Sequence, residues 1–101
     1  MDHKKVAKLN EEFRQLGTQW DSAGSQLRAA CARGESDYRI KQHFREMESI
    51  YKRMYLCLDR LDSEYDSEGV QYSTGPFKDL LEQNRNWLQT VAQQTGIESQ
   101  I

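Results

Sequence analysis

Few side chains in this chain combine a reactive type with a spacing that chemistry could use. His43 and Glu46 lie three residues apart, the spacing at which an imidazole and a carboxylate on one helix can share a metal ion. No second pair of this kind occurs, so a di-metal carboxylate site lacks its ligands, and Lys41 and Arg45 flank His43 with like charge. His43 therefore reads as a solvated surface histidine, and no metal is expected. Cys31 and Cys57 become nucleophiles only where tertiary contact supplies a base, and His43 is the candidate for that role. Two cysteines so far apart make neither a disulfide framework nor a zinc motif. Each falls on or beside an apolar stripe, where a thiol acts as a small hydrophobe, with a regulatory or intermolecular disulfide as the alternative.

The acids Asp62, Glu64, Asp66 and Glu68 alternate in a way that suggests calcium. Counted from Asp62, however, the positions that an EF-hand gives to glycine and glutamate hold Ser67 and Ser73. There is no glycine-rich phosphate loop and no pair of carboxylates on a credible pocket wall. The expectation is a protein that is not an enzyme, with no catalytic residue and no cofactor.

The elements carrying these residues are helical. Val6, Leu9, Phe13, Leu16, Trp20, Ala23, Leu27 and Ala30 follow one another at steps of three and four, the a/d seam of a heptad helix over 3–33. Gly34 stands where a helix C-cap favours it. Ile40, Phe44, Met47, Tyr51, Met54, Leu58, Leu61 and Tyr65 repeat the pattern over 36–66, with Ser36 or Asp37 able to cap it. A polar loop is expected over 67–75. A third helix over 76–95 opens with Pro76 at its first position and shows an apolar face of Phe77, Leu80, Leu81, Trp87, Leu88 and Val91 around a central Asn84. Asn84 reads as a satisfied core polar group that fixes register, and Trp20 and Trp87 as core aromatics. Gly96 closes this helix, leaving 96–101 as a loose tail.

The connection Gly34-Glu35-Ser36 is too short for anything but an antiparallel hairpin, which pairs residues whose numbers sum to roughly 70. Lys4, Lys5 and Lys8 then lie level with Asp62, Glu64 and Asp66. The fold class is all-α: an antiparallel three-helix bundle built on a long, coiled-coil-like hairpin with a shorter third helix, forming a single domain. Gly17 and Gly24 sit inside the first helix as either close-packing sites or breaks, and the unshifted seam favours continuity.

At 1.5 Å per residue the third helix is about 15 Å shorter than the other two, so it is expected to cover the base of the hairpin and leave the tip bare. The tip would then expose Leu27, Tyr38, Ile40, Phe44 and Met47, framed by Arg28, Arg33, Arg39, Lys41 and Arg45. Tyr55 and Leu56 add apolar surface outside the seam of the second helix. These features point to a non-enzymatic protein-interaction module (a small adaptor, chaperone or inhibitor) whose hairpin surface docks another protein or a second copy. Tyr38, Ile40, Phe44, Met47, Tyr55 and Leu56 would anchor the partner and Arg39 and Arg45 would steer it. On this reading Phe44→Glu abolishes docking and spares helicity.

The alternative is a nucleic-acid-associated regulator acting through the basic tip. Against it, 14 basic and 16 acidic residues in 101 leave a net charge of −2, whereas nucleic-acid binders normally carry a basic excess. The Met1–Lys8 stretch lacks the apolar core of a secretory signal, and Met54–Leu58 is far too short to span a membrane. A cytoplasmic protein without membrane contact is expected.

Overall fold

A computed structural model describes residues 2–67 and 74–101, and over them the chain forms three helices: α1 (His3–Ala32), α2 (Asp37–Ser67) and α3 (Gly75–Thr95). The architecture is the all-α bundle that the heptads imply, with α1 and α2 as long antiparallel rods and α3 the shorter one. The Asp2 carboxylate caps α1 by accepting the Lys5 N–H at 3.1 Å. α1 ends in a Schellman motif: the Glu35 N–H donates to the Ala30 carbonyl at 3.0 Å and the Gly34 N–H to that of Cys31 at 3.1 Å. Gly34 takes φ +64° there, a left-handed conformation that glycine adopts without steric cost. Ser36 caps α2, its hydroxyl oxygen accepting the Arg39 N–H at 3.3 Å. Most of the loop expected over 67–75 lies outside the described residues.

The register of the hairpin is the one its charges favour. Lys5 Nζ lies 2.7 Å from Glu64, and the Cys57 thiol donates to the Leu9 carbonyl at 3.1 Å. From these ties at the base towards the tip, Leu9, Phe13, Leu16 and Leu27 pack with Phe44, Met47, Met54, Leu58 and Leu61 in one core. α1 runs unbroken through both glycines. Gly24 is buried, and a Cβ there would stand 3.4 Å from Met47 Cε; Gly17 faces open space.

α3 is attached differently. The Thr74 hydroxyl donates to Asp62 at 2.7 Å, and Lys78 Nζ lies 3.4 Å from the same carboxylate, which fixes where α3 begins. α3 packs on α2, but among the described residues none of its Cα atoms comes within 8 Å of one on α1. Large rings cross that gap: Phe13 meets Phe77 with centroids 4.8 Å apart, and Trp20 meets Trp87 edge-on at 5.9 Å.

Two expectations are corrected here. The segment after α3 is not loose. Gly96 turns it at φ +72°, Ile97 and Ile101 pack against the core, and the Gln100 N–H donates to Glu48 at 2.6 Å. Glu48 is only 2% exposed, and a carboxylate out of water needs donors; Arg45 and the Gln100 N–H supply them. Nor is the tip bare: Leu27, Phe44 and Met47 are buried. α1 and α2 bury these residues between them, and α3, which starts beside Asp62, runs far enough in its 21 residues to place Trp87 beside Arg28.

Candidate interaction surface

The eight residues singled out for partner contact separate into distinct environments. Phe44 and Met47 have no accessible surface, so they hold α1 and α2 together and cannot meet a partner. Phe44→Glu would therefore bury a charge rather than edit a surface. Ile40 is half-buried against the same core. Tyr38 stands out at 71% exposure, its phenol accepting a bond from the Gln42 carboxamide at 3.0 Å. Tyr55 and Leu56 are 57% and 54% exposed, adjacent on the outer side of α2. Tyr38 and Leu56 share a helical stripe, but 18 residues at 1.5 Å set them about 27 Å apart. They are not one patch.

The basic frame of the tip is largely engaged. Arg33 donates to Glu35 at 3.0 Å and Arg39 lies 3.6 Å from the other oxygen of that carboxylate. The Arg33 hydrogen bond, and then the charges of Arg33 and Arg39, hold the Glu35 carboxyl below its usual value. Arg45 bonds Glu48 and lies over the Phe44 ring, and Arg28 lies over Trp87 with 5.4 Å to the ring centroid.

Around Tyr55 and Leu56 the surface is concave. A hollow of about 410 Å³ is bounded by those two residues, Tyr51, Ile101 and the stems of Lys52 and Arg85. A second hollow of about 340 Å³ continues it along the α2/α3 groove towards Leu58, Leu81 and Lys78, with Tyr51, Tyr55 and Arg85 common to both. The returning segment thus builds one wall of the surface, because the clasp at Glu48 delivers Ile101 to it. Sequence reasoning found Tyr55 and Leu56 but missed Glu48, Ile97 and Ile101. The available signal was a glutamate on the flank of α2 that carries Tyr51 and Tyr55, together with an isoleucine pair four residues apart.

The reactive side chains lead nowhere catalytic. Burial pushes the Cys57 thiol up, and the thiolate is the form that attacks. Cys31, in the last turn of α1, is exposed. Among the described residues no group of three histidine, cysteine or acidic side chains could hold a metal ion, and no helix is long and apolar enough to cross a membrane. Asn84 is buried as expected, but not satisfied: its Nδ2 has no acceptor among the described residues. Comparison with known proteins returns no matching family model, curated relative or solved structure.

Proposed function

We propose that this chain is a non-enzymatic interaction module, of the adaptor, chaperone or inhibitor kind, that docks a protein partner on the outer face of α2. The observation that carries this reading is the pairing of Tyr55 and Leu56, each more than half exposed, beside a hollow floored by Tyr51 and Ile101. Soluble proteins scatter single apolar residues over their surfaces, but an apolar rim around a concavity is the usual form of a contact site. Lys52 and Arg85 at the edge favour a partner whose apolar ridge is flanked by acids. A second copy of the chain is one such partner, since its own surface is rich in carboxylates. The basic tip supports the nucleic-acid reading poorly, because Arg33, Arg39 and Arg45 are already engaged by carboxylates.

The test is the absolute mass in solution, by light scattering over a concentration series, for the wild type and for Leu56→Glu. A wild-type dimer that the substitution converts to a folded monomer makes the second copy the partner. Monomers in both cases direct the search outwards, with immobilised wild type expected to retain a protein that Leu56→Glu does not. Identical retention by both, or loss of helicity in the variant, would overturn the assignment. So would affinity for duplex DNA that falls steeply with salt, the mark of phosphate neutralisation.

A further inference from the structure

The gap between α1 and α3 holds a feature that the interaction surface does not use. Trp20, Gly24 and Arg28 of α1 face Asn84 and Trp87 of α3 across a cavity of about 420 Å³, with Met47 of α2 as its floor. That volume lies within the range of small-molecule sites. Three observations say that the cavity is built rather than left over. The amide nitrogen of Asn84 is shut off from water without an acceptor, although the residue is only 7% exposed, and such an orphan donor in a folded interior calls for a missing partner. The guanidinium of Arg28 is laid over Trp87 at 5.4 Å instead of being paired with a carboxylate. Gly24 keeps this wall of α1 free of side chain, although glycine is a poorer helix former than alanine.

The chemistry of the walls selects the ligand. The edge-on indole pair offers an apolar wall, Asn84 offers an unused N–H, and Arg28 offers a planar pair of donors that matches a carboxylate. The χ2 torsion of asparagine is soft, so the orphan N–H turns towards an oxygen in the cavity with little strain. Asp21, on the rim two turns before Arg28, repels an acid group from its own end and so orients it towards Arg28. We infer that the α1/α3 cavity is a binding site for a small planar aromatic carboxylate, its ring lying against the edge-on Trp20–Trp87 pair and its acid group shared by Arg28 and Asn84. This site is separate from the docking face around Tyr55 and stands or falls independently of it.

The two tryptophans of the chain both line the cavity, so their indole N–H signals in a ¹H–¹⁵N spectrum, with the Asn84 side-chain amide, report on it directly. Titration of the full chain with 2-naphthoate is expected to move those signals saturably, with a dissociation constant of about 1 mM or below. Arg28→Gln should weaken binding about tenfold, the loss of one charge-assisted contact. Gly24→Ala adds a Cβ to the cavity wall at an ordinary 3.4 Å from Met47 and 3.9 Å from Arg28, so it should fold normally and weaken binding. 2-Naphthylmethylamine, the cationic counterpart, should bind more weakly than the acid. No saturable shift, tighter binding of the amine, binding unchanged in both variants, or shifts confined to Tyr55 and Leu56 would each overturn the assignment.

Discussion

α1 is packed along its two sides on opposite terms. Against α2, its seam residues leave no side chain exposed by more than a few per cent from Leu9 to Leu27 except Trp20, and the base of the seam is fixed by Lys5–Glu64 and Cys57–Leu9. Against α3, the backbones stay more than 8 Å apart at every described Cα, and rings meet rings or, at Trp87, the Arg28 guanidinium. The difference follows from side-chain size. Leucines and methionines on one helix facing alanines and a glycine on another let two rods close, because large meets small. Phenylalanine facing phenylalanine and tryptophan facing tryptophan prop two helices apart, and a gap held open by rigid rings is where an orphan carboxamide and a cavity survive. The closed side makes the fold; the propped side is available for something else.

The sharpest way to break this contrast is to truncate one ring on each side. Phe44→Ala, inside the closed seam, should cost about 3–5 kcal/mol in urea denaturation, the usual range for a fully buried phenylalanine. Trp87→Ala, at the half-buried edge of the gap, should cost less than about 2 kcal/mol despite removing the larger group. Equal losses would mean that α3 is as integral to the core as α1 and α2 are.

Next in size is Glu48→Ala, expected to cost about 2 kcal/mol, since it removes a charged acceptor and strands the Gln100 N–H. Amide exchange at Gln100 should accelerate more than exchange within α1 and α2. A uniform acceleration would show the returning segment to be part of the hairpin core rather than an addition to it.

Gly17→Ala tests the open side from the other direction. A Cβ at Gly17 meets nothing within 4 Å, so alanine should add up to about 1 kcal/mol of stability through helix propensity alone. Destabilisation would mean that the gap closes further than it stands here.

The smallest effect is set by pH at the closed seam. Burial, and secondarily the charge of Glu12, raise the Cys57 thiol above its ordinary value near 9.0. The folded chain therefore holds that proton more tightly than the unfolded one. Stability from this source is whole below about pH 9 and drains away as pH rises through the folded value. Urea midpoints should fall above pH 9 in the wild type and fall less in Cys57→Ala. Lys5, raised by its bond to Glu64, contributes with the same sign only from its own ordinary value of 10.5 upwards.

Much of the closed side could be read in advance, because it depends on spacing along one chain. Val6 to Ala30 and Ile40 to Tyr65 announce two rods, Gly34 their turn, and Lys5 with Glu64 their register. The propped side could not, because it depends on where α3 begins, and that is decided by a tertiary contact between Thr74 and Asp62. Phe44 and Met47 were misplaced for a different reason: they lie on the α2 seam itself, and α1 buries them whatever α3 covers. Within the interaction surface, Tyr55 and Leu56 were visible as apolar residues off the seam. Ile101 was not, since nothing in its local sequence shows that a glutamate far upstream retains the segment.

That glutamate also sets an order of events. Glu48 and Gln100 are 52 positions apart, and their bond can form only after α3 has docked and Gly96 has turned the chain. The hairpin, by contrast, can zip from the four-residue connection between Ala32 and Asp37 with each step closing a short loop. Contacts that form late are absent from the folding transition state and act on the unfolding rate. The clasp therefore works as a kinetic latch: it leaves the speed of folding nearly unchanged and lengthens the lifetime of the folded chain.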